Sequence, residues 1–355
     1  MTKWASFLLR PVPKSNSRGD ERLTSLGAGS RHARQFFMNI FSNSILAAAA
    51  ALALSACAGG KGGTVSAPGK FGSRDTVDRL VGQQITLAKA HFSVGEIDGR
   101  NGALTTRATE HYMAAHPGTP AIPAEVKPYT TYTVREADLK FVGPLEPTNE
   151  GQAKMKYLTY ETTLEMVAEK FHAAQALLVY LNAYPSYNPP LKPGDAVVVP
   201  NVEPFLIESV KGNARAGATA GNYVRIQTDR GALEVFNKQG NLLAYYPVSC
   251  GSDQIPTPKG EWKIVNQVPL PTFRWDDEML NKGVRSQDFF MFPPGPNNPV
   301  GVFWNGLSKT GVGIHGNPLP DTLFQGRSHG CIRMTNWDVI TLPKYVGVGS
   351  KVLIE

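Results

Sequence analysis

The sequence contains little cysteine and little charge, and both shortages restrict the kinds of protein it encodes. Three cysteines in 355 residues are too few for a small scaffold held together by disulfides. Charged residues make up 18% and apolar residues 42%, which is typical of globular chains and not of disordered ones. No H-E-x-x-H or C-x-x-C pattern occurs, so these zinc signatures are missing. The length allows two or three domains.

The excess of basic residues is confined to the beginning of the chain. The net charge is +7, and residues 1–45 account for +5 of it. The charged residues of this segment are Lys3, Arg10, Lys14, Arg18, Asp20, Glu21, Arg22, Arg31 and Arg34. The rest of the chain carries only +2 and shows no basic stripe of the kind that binds nucleic acid. We therefore expect no nucleic-acid partner.

An apolar run that is too short to cross a membrane follows the basic segment. Residues 45–54 are apolar, whereas a membrane-spanning helix needs about 20 such residues. The run ends in Leu54-Ser55-Ala56-Cys57, which resembles the bacterial lipobox, whose cysteine is lipidated after export. We predict that residues 1–57 are a leader and that Cys57 anchors a periplasmic protein to the outer membrane. The alternative is an ordinary signal peptide cleaved near Ala56.

Side chains suited to cysteine chemistry are concentrated near the end of the chain. The stretch reads Gly313-Ile314-His315-Gly316 and then Ser328-His329-Gly330-Cys331-Ile332-Arg333-Met334. A thiol attacks as thiolate, so Cys331 needs a base or a positive neighbour. His329 lies two residues before Cys331, and on a strand this spacing would place both side chains on one face. Chemistry alone leaves His315 and His329 as equal candidates for the base.

This stretch resembles the catalytic motif of the L,D-transpeptidases, the YkuD family. The family pattern is a His-Gly pair, a variable loop, then Ser-His-Gly-Cys followed by a small apolar residue and Arg or Asn. The likeness includes Val248-Ser249-Cys250-Gly251 and Pro256-Thr257-Pro258-Lys259-Gly260-Glu261-Trp262 and covers about residue 221 to the end. It implies a mainly-β catalytic domain over residues 222–355, a β-sandwich with a short helix.

The resemblance also implies roles for individual residues. The catalytic positions are Cys331, His315, His329, Ser328, Gly316 and Gly330. Cys331 would be the nucleophile and His315 the base, oriented by the backbone carbonyl of Gly316. The N–H groups around Gly330 and Cys331 would stabilise the oxyanion, while Ser328 and His329 shape the site. The family needs no cofactor, and we predict no metal.

Three further residues are candidates for contacting the substrate. Arg333 is either an ordinary surface charge or a bidentate partner for a substrate carboxylate. Trp304 and Asn305 come before the motif, and we predict that they line the site, although an aromatic residue on a strand is more often part of the core.

Other interpretations of the motif compete with catalysis. Cys331 beside an apolar residue is the pattern of a buried core cysteine. His315, His329 and Cys331 together are ligands that zinc accepts, but a fourth ligand is not evident. We expect Cys250 to be reduced and to fill apolar space at a position where the family usually has threonine.

Upstream of the catalytic domain we predict a small helical domain. Residues 58–74 are a linker rich in glycine and serine, and residues 75–116 show helical spacing of apolar residues interrupted by a glycine-rich turn. The turn Gly95-Glu96-Ile97-Asp98-Gly99 resembles that of the helical peptidoglycan-binding domain. In it glycine would supply positive φ and Asp98 would bond its own backbone. Thr105 or Thr106 would cap the second helix.

A second module is predicted between two linkers, the proline-rich residues 117–128 and residues 203–221. Residues 129–202 resemble a LysM module, a glycan-binding α+β unit of order βααβ. Its helices would cover residues 162–171 and 174–181, and its last strand Val197-Val198-Val199-Pro200. The first strand is either near Tyr132-Thr133-Val134 or, alternatively, within residues 157–163.

The catalytic region itself has the alternating pattern of a sheet protein. We predict strands at 223–227, 233–236, 242–248, 262–265, 301–304 and 351–354, and a helix over 336–342 capped by Thr335. Residues 266–299 are long and proline-rich, and we predict that they form a lid or a substrate rim.

The resemblance implies an enzyme that cleaves the stem tetrapeptide of peptidoglycan between the third residue and the terminal D-alanine. The acyl group would pass through a Cys331 thioester to an amine, giving a 3→3 cross-link, and carbapenems would acylate Cys331. The partners would be the stem peptides and glycan strands of peptidoglycan. Alternatives are an L,D-carboxypeptidase, in which water is the acceptor, and a non-catalytic wall-binding lipoprotein.

Overall fold

The computed structural model describes residues 70–120, 126–210, 221–323 and 328–355. The predicted leader with Cys57 and most of the first linker lie outside these residues. The helices are α1 (Arg74–Lys89), α2 (Ala103–Ala115), α3 (Asn149–Lys154), α4 (Thr163–Lys170), α5 (Gln175–Asn182), α6 (Asp277–Lys282) and α7 (Asn336–Val339). Within the described parts of the chain, none of the helices has the length and apolarity that crossing a membrane requires.

The strands form one large sheet and two small ones. They are β1 (Tyr129–Thr133), β2 (Ala196–Pro200), β3 (Tyr223–Gln227), β4 (Ala232–Phe236), β5 (Leu242–Pro247), β6 (Gly260–Pro269), β7 (Phe273–Trp275), β8 (Phe290–Phe292), β9 (Phe303–Leu307), β10 (Gly313–Asn317), β11 (Ile332–Thr335) and β12 (Lys351–Ile354). β1 pairs with β2, β7 pairs with β8, and the other eight strands have the order β11-β10-β9-β6-β12-β3-β4-β5.

Helices α1 and α2 are joined by the predicted glycine turn. Gly95 and Gly99 have φ of 70° and 66°, which only glycine adopts without strain, and Asp98 accepts the N–H of Arg100 at 2.9 Å. These two predictions about the turn are confirmed. The predicted threonine cap is wrong, because Thr105 is buried and bonds a side chain of α1 instead. The N-cap residue of α2 is Gly102, which has no side chain to form a cap.

Residues 129–202 contain β1, α3, α4, α5 and β2 in that order, so a short unpredicted helix, α3, stands between the first strand and the two predicted helices. β1 and β2 are antiparallel in the register Tyr129↔Pro200 to Thr133↔Ala196, so the alternative first strand within residues 157–163 is wrong. Helix α4 starts with a capping box in which Thr162 and Glu165 satisfy each other's backbone N–H groups. β1, α4, α5 and β2 therefore form the predicted βααβ arrangement with α3 inserted after β1, while glycan binding by this unit stays a prediction.

The eight-stranded sheet folds into two halves that share β6. The first part of β6 pairs with β12 and the second part with β9. Beyond β5, Ser249 exchanges both backbone hydrogen bonds with Arg333 of β11, at 3.1 and 2.9 Å. The two edges of the sheet thus meet, and one core lies between the halves. This explains how a single sheet produces the predicted two-layered, sandwich-like domain.

The proline-rich stretch between β6 and β9 contains the β7–α6–β8 hairpin. Its base is closed by Asn298, whose fully buried amide donates to the carbonyls of Pro271 and Pro293 at 3.2 and 2.8 Å. Asp276 is the N-cap of α6, and its side chain also accepts the N–H of Ser286 at 3.0 Å. These hydrogen bonds hold the stretch in a defined fold. Its role as a lid stays a prediction.

The described residues upstream of position 203, called the upstream region below, pack directly on the sheet. One apolar core joins α1, α2, α4, α5, β1 and β2 and includes Tyr245 of β5. The backbone of Tyr245 also bonds His91 and Ser93, at 2.9 and 2.8 Å. Residues 203–210, predicted as part of a linker, place Phe205, Ile207 and Val210 in the core of the large sheet.

Candidate active site

Three neighbouring strands place three of the predicted site residues side by side across the sheet. Trp304 of β9 is the register partner of His315 on β10, and His315 is the partner of Arg333 on β11. Paired positions place their side chains on the same face of a sheet. The Trp304 and His315 rings are stacked, with centroids 5.5 Å apart and an interplanar angle of 16°. On the other side Trp304 pairs with Val268 of β6, which is 39% exposed.

Cys331 lies immediately before β11, two residues from Arg333, and its side chain is partly buried. Its Sγ is 3.7 Å from the carbonyl oxygen of Gly311, and the N–H of Gly313 donates to it. The thiol thus contacts the loop between β9 and β10. Gly313 must be glycine, since an added Cβ would lie 2.4 Å from the Trp304 ring.

A tight turn, and not a strand, precedes Cys331. The hydroxyl of Ser328 donates to the carbonyl of Cys331, and Gly330 has φ of 94°. The prediction that His329 and Cys331 share a strand face is therefore wrong. Ser328 is 1% exposed, so the part it plays in this structure is to hold the turn. His329 is partly buried beside it.

The His315 imidazole has a defined tautomer. Its Nδ1 is 2.7 Å from the carbonyl oxygen of Gly316, and the side chain is 3% exposed. A carbonyl oxygen only accepts hydrogen bonds, so Nδ1 carries the hydrogen and Nε2 keeps its lone pair. This contact between His315 and Gly316 is the one that the resemblance implies, and it leaves Nε2 available as a base.

Burial makes both members of the predicted pair neutral at rest. Burial, followed by the positive charge of Arg333, lowers the pKa of His315 to about 3, although the bond to Gly316 offsets part of this. Burial raises the pKa of the Cys331 thiol above 9.0, and the Gly313 N–H and Arg333 only partly oppose it. A thiolate held ionised in the resting protein does not fit these shifts.

We expect alkylation of Cys331 by iodoacetamide to rise continuously with pH. Thiolate forms as pH passes the thiol pKa, and this pKa is raised, so the rate grows by about tenfold per pH unit up to that pKa. The measurement is the mass of the peptide containing Cys331 as a function of time and pH. A rate that is already high and flat between about pH 5 and 8 would show a thiolate–imidazolium pair instead.

Asn305 does not line the site, contrary to the prediction. Its side chain is fully buried, accepts from Gln267 Nε2 at 2.9 Å and donates to the carbonyl of Ile314 at 3.2 Å. Adjacent strand residues point to opposite faces, so Asn305 points away from the face that carries Trp304. Trp304 itself is only partly buried and stays a candidate for substrate contact.

Several neighbours of Cys331 were not predicted to belong to the site. The loop after β5 packs against the turn, since Gly251 pairs with Ser328 and its N–H donates to Thr257 at 2.7 Å. This loop lies in the upstream part of the stretch that resembles the family. That resemblance is the sequence signal from which its place at the site could have been predicted. No sequence signal pointed to Gly311, because its contact with the Cys331 thiol arises from the way a turn folds.

Cys250 and Cys331 are both free thiols in the structure. Cys250 packs against the core of the large sheet, and burial raises the pKa of its thiol to about 12. In the described ranges, no group of three or more histidine, cysteine, aspartate or glutamate side chains is arranged to hold a metal ion.

Comparison with known proteins gives this site its family. The model of the YkuD family, the L,D-transpeptidase catalytic domain, matches residues 221–354. The Bacillus subtilis protein named as L,D-transpeptidase YkuD is 29% identical over 204 residues, covering 56% of this chain and 99% of that protein. A second protein of the same organism, named as L,D-transpeptidase YqjB, is 30% identical over 134 residues, which cover 34% of this chain and 69% of its own length.

Solved structures of L,D-transpeptidases also match. An Enterococcus faecium enzyme aligns with 38% of this chain and 50% of its own, at a TM-score of 0.30 and 21% identity. This chain thus spans half the length of that one. The family model and the Bacillus relatives carry the conclusion that this chain belongs to the YkuD family of L,D-transpeptidases.

Proposed function

We propose that the protein cross-links peptidoglycan through a thioester on Cys331. The observation that carries this proposal is the orientation of His315, whose Nδ1 is fixed by Gly316 while β11 places Arg333 opposite it, two residues after Cys331. A neutral, oriented imidazole on β10, next to the strand that follows Cys331, suits nucleophilic acyl transfer.

In the first half of the reaction the sulfur attacks the carbonyl carbon of the third residue of a stem tetrapeptide. As the C–S bond forms, the thiol proton passes to Nε2 of His315. The C–N bond to the terminal D-alanine then breaks, and the departing amine takes this proton. The N–H groups of Gly330 and Cys331 are our candidates for stabilising the oxyanion.

In the second half an amine attacks the thioester carbonyl. His315 removes a proton from this amine and returns it to the sulfur as the C–S bond breaks. A stem-peptide amine as acceptor gives a 3→3 cross-link, and water gives carboxypeptidase activity instead. We assign to Arg333 the binding of a substrate carboxylate, and to Trp304 with Val268 an apolar wall of the site.

The remaining modules would keep the enzyme at its substrate. We propose that the helices of residues 75–116 and the βααβ unit of residues 129–202 bind peptidoglycan, and that lipidated Cys57 holds the protein at the outer membrane in the periplasm. Binding to an insoluble polymer raises the effective concentration of stem peptides near the catalytic site.

Incubation with purified disaccharide tetrapeptide tests the proposal. We expect D-alanine release together with a cross-linked dimer, detected by mass spectrometry of the products. Release of D-alanine with only a tripeptide product would establish water as the acceptor and exclude cross-linking. Tetrapeptide recovered unchanged, from protein that is folded, would contradict the catalytic function and favour a non-catalytic wall-binding protein.

A further inference from the structure

Helix α7 connects the active site with the upstream region. It follows β11 directly, and all four of its residues are buried. The Trp337 ring stacks on His172, with centroids 5.3 Å apart and an interplanar angle of 7°. The next residue, Asp338, accepts a hydrogen bond from the hydroxyl of Ser93 at 2.6 Å. Two separate segments of the upstream region thus hold a helix that begins five residues after Cys331.

The first residue of α7, Asn336, has partners on two sides. Its Nδ2 donates to both carboxyl oxygens of Glu169 on α4, each at 3.2 Å. Its Oδ1 accepts the N–H of Val302 at 3.1 Å. The same oxygen contacts the backbone of Gly301 and Gly316 so closely that a Cβ on either glycine would lie 2.2 Å from it.

Gly316 is the residue whose carbonyl orients His315. Its backbone cannot shift toward α7 without meeting Asn336 Oδ1, and the bond from Gly316 to the imidazole is only 2.7 Å long. Core packing transmits such displacements because protein interiors contain little free volume. The position of the Asn336 amide therefore limits where the Gly316 carbonyl, and with it the imidazole, can lie.

Glu169 holds the amide of Asn336 together with the carbonyl of Pro296, which also accepts from Asn336 Nδ2, at 3.2 Å. The Glu169 side chain is 6% exposed, and its Oε1 also accepts the hydroxyl of Tyr160 at 2.7 Å. Burial raises its pKa to about 8, with the hydrogen bonds from Tyr160 and Asn336 opposing the shift. Burying an acid is costly for stability, and in some proteins buried polar groups specify one arrangement of their neighbours.

We propose that Asn336, held by Glu169 of the upstream region, is a positioning residue for His315. The upstream region then has two roles, since it completes the geometry of the catalytic site in addition to any binding of glycan. This proposal rests on the proposed function, because the orientation of His315 affects catalysis only if His315 is the base. The contacts themselves do not depend on the substrate.

The test compares Asn336→Ala and Glu169→Ala with the unaltered full chain. The first readout is the nitrogen NMR spectrum of His315, in which we expect one tautomer in the unaltered protein and a mixture in both variants. The second is the rate of Cys331 acylation by a carbapenem, which we expect to fall about tenfold to a hundredfold, as for other small misplacements of catalytic groups.

Two further variants separate positioning from folding. Glu169→Gln keeps an oxygen for the Asn336 amide and should restore one tautomer and most of the rate. Asn222→Ala removes another buried asparagine, which donates to the carbonyl of Tyr345 at 3.1 Å in a different part of the sheet. It should lower stability but leave the tautomer of His315 and the acylation rate unchanged.

The outcomes distinguish this inference from the proposed function. A single tautomer retained in both alanine variants would overturn the positioning role, and so would an equal change in Asn222→Ala. If Asn336→Ala does not fold, Glu169→Ala decides. An unaltered protein that is never acylated would refute the proposed function, while the NMR result would still decide whether Asn336 orients His315.

Discussion

We expect a carbapenem to form a covalent adduct with the protein, and we expect Cys331→Ala to abolish this adduct. The bond forms at Sγ, and alanine has no nucleophilic atom, so the loss should be complete. Intact-protein mass spectrometry measures it directly. Cys250→Ala is the matched control, because Cys250 is the other described cysteine and its buried thiol has a pKa of about 12. It should form the adduct normally.

The same assay distinguishes the two histidines. His315→Ala should slow adduct formation by about 10²- to 10⁴-fold, the usual contribution of a positioned general base. His329→Ala should have a much smaller effect, because no partner comparable to the Gly316 carbonyl orients its ring among the described contacts. An adduct that persists in Cys331→Ala, or a larger loss in His329→Ala than in His315→Ala, would refute the assignment.

Gly301→Ala is expected to cost about 2 to 5 kcal/mol of the free energy of unfolding. Gly301 has φ of 61°, and its added Cβ would lie 2.2 Å from Asn336 Oδ1 and 2.6 Å from backbone atoms of Gly316. Left-handed backbone costs about 1 to 2 kcal/mol for alanine. Overpacking adds about 1 to 3 kcal/mol. Urea unfolding followed by circular dichroism measures the loss.

Gly349→Ala separates the two contributions to this cost. Gly349 also has positive φ, 94°, but an added Cβ would find no atom within 4 Å. The Gly349→Ala variant should therefore lose only the free energy that the left-handed backbone costs, about 1 to 2 kcal/mol. Equal losses in the two variants would show that the space between Gly301, Gly316 and Asn336 is not tightly packed.

The sequence predicted best where the signal is local. The alternation of residues in 223–227 and 351–354 coincides with β3 and β12, and the Thr335 cap of α7 is confirmed, because its hydroxyl accepts the N–H of Asp338 at 3.1 Å. The predicted helix 336–342 was too long, since α7 ends at Val339. Ends of short helices depend on tertiary packing more than on propensity.

Strand β10 shows why local signals were insufficient at the site. It contains Gly313 and Gly316, and glycine weakens a strand. The segment is extended because it pairs with both β9 and β11. Likewise, the sequence could not tell that Asn305 faces the core while Trp304 faces His315, since this depends on the register between strands.

By itself, the sequence determined the chemistry of the motif: a cysteine, two histidines and an arginine in the spacing of one enzyme family. It also determined which stretches have apolar residues at strand or helix spacing and therefore bury one face. Only the tertiary structure decided that His315 is held by Gly316, that Asn305 is buried, and that Glu169 contacts Asn336. The physical reason is that these contacts join residues far apart in the chain, and their geometry arises from packing, which no local pattern encodes.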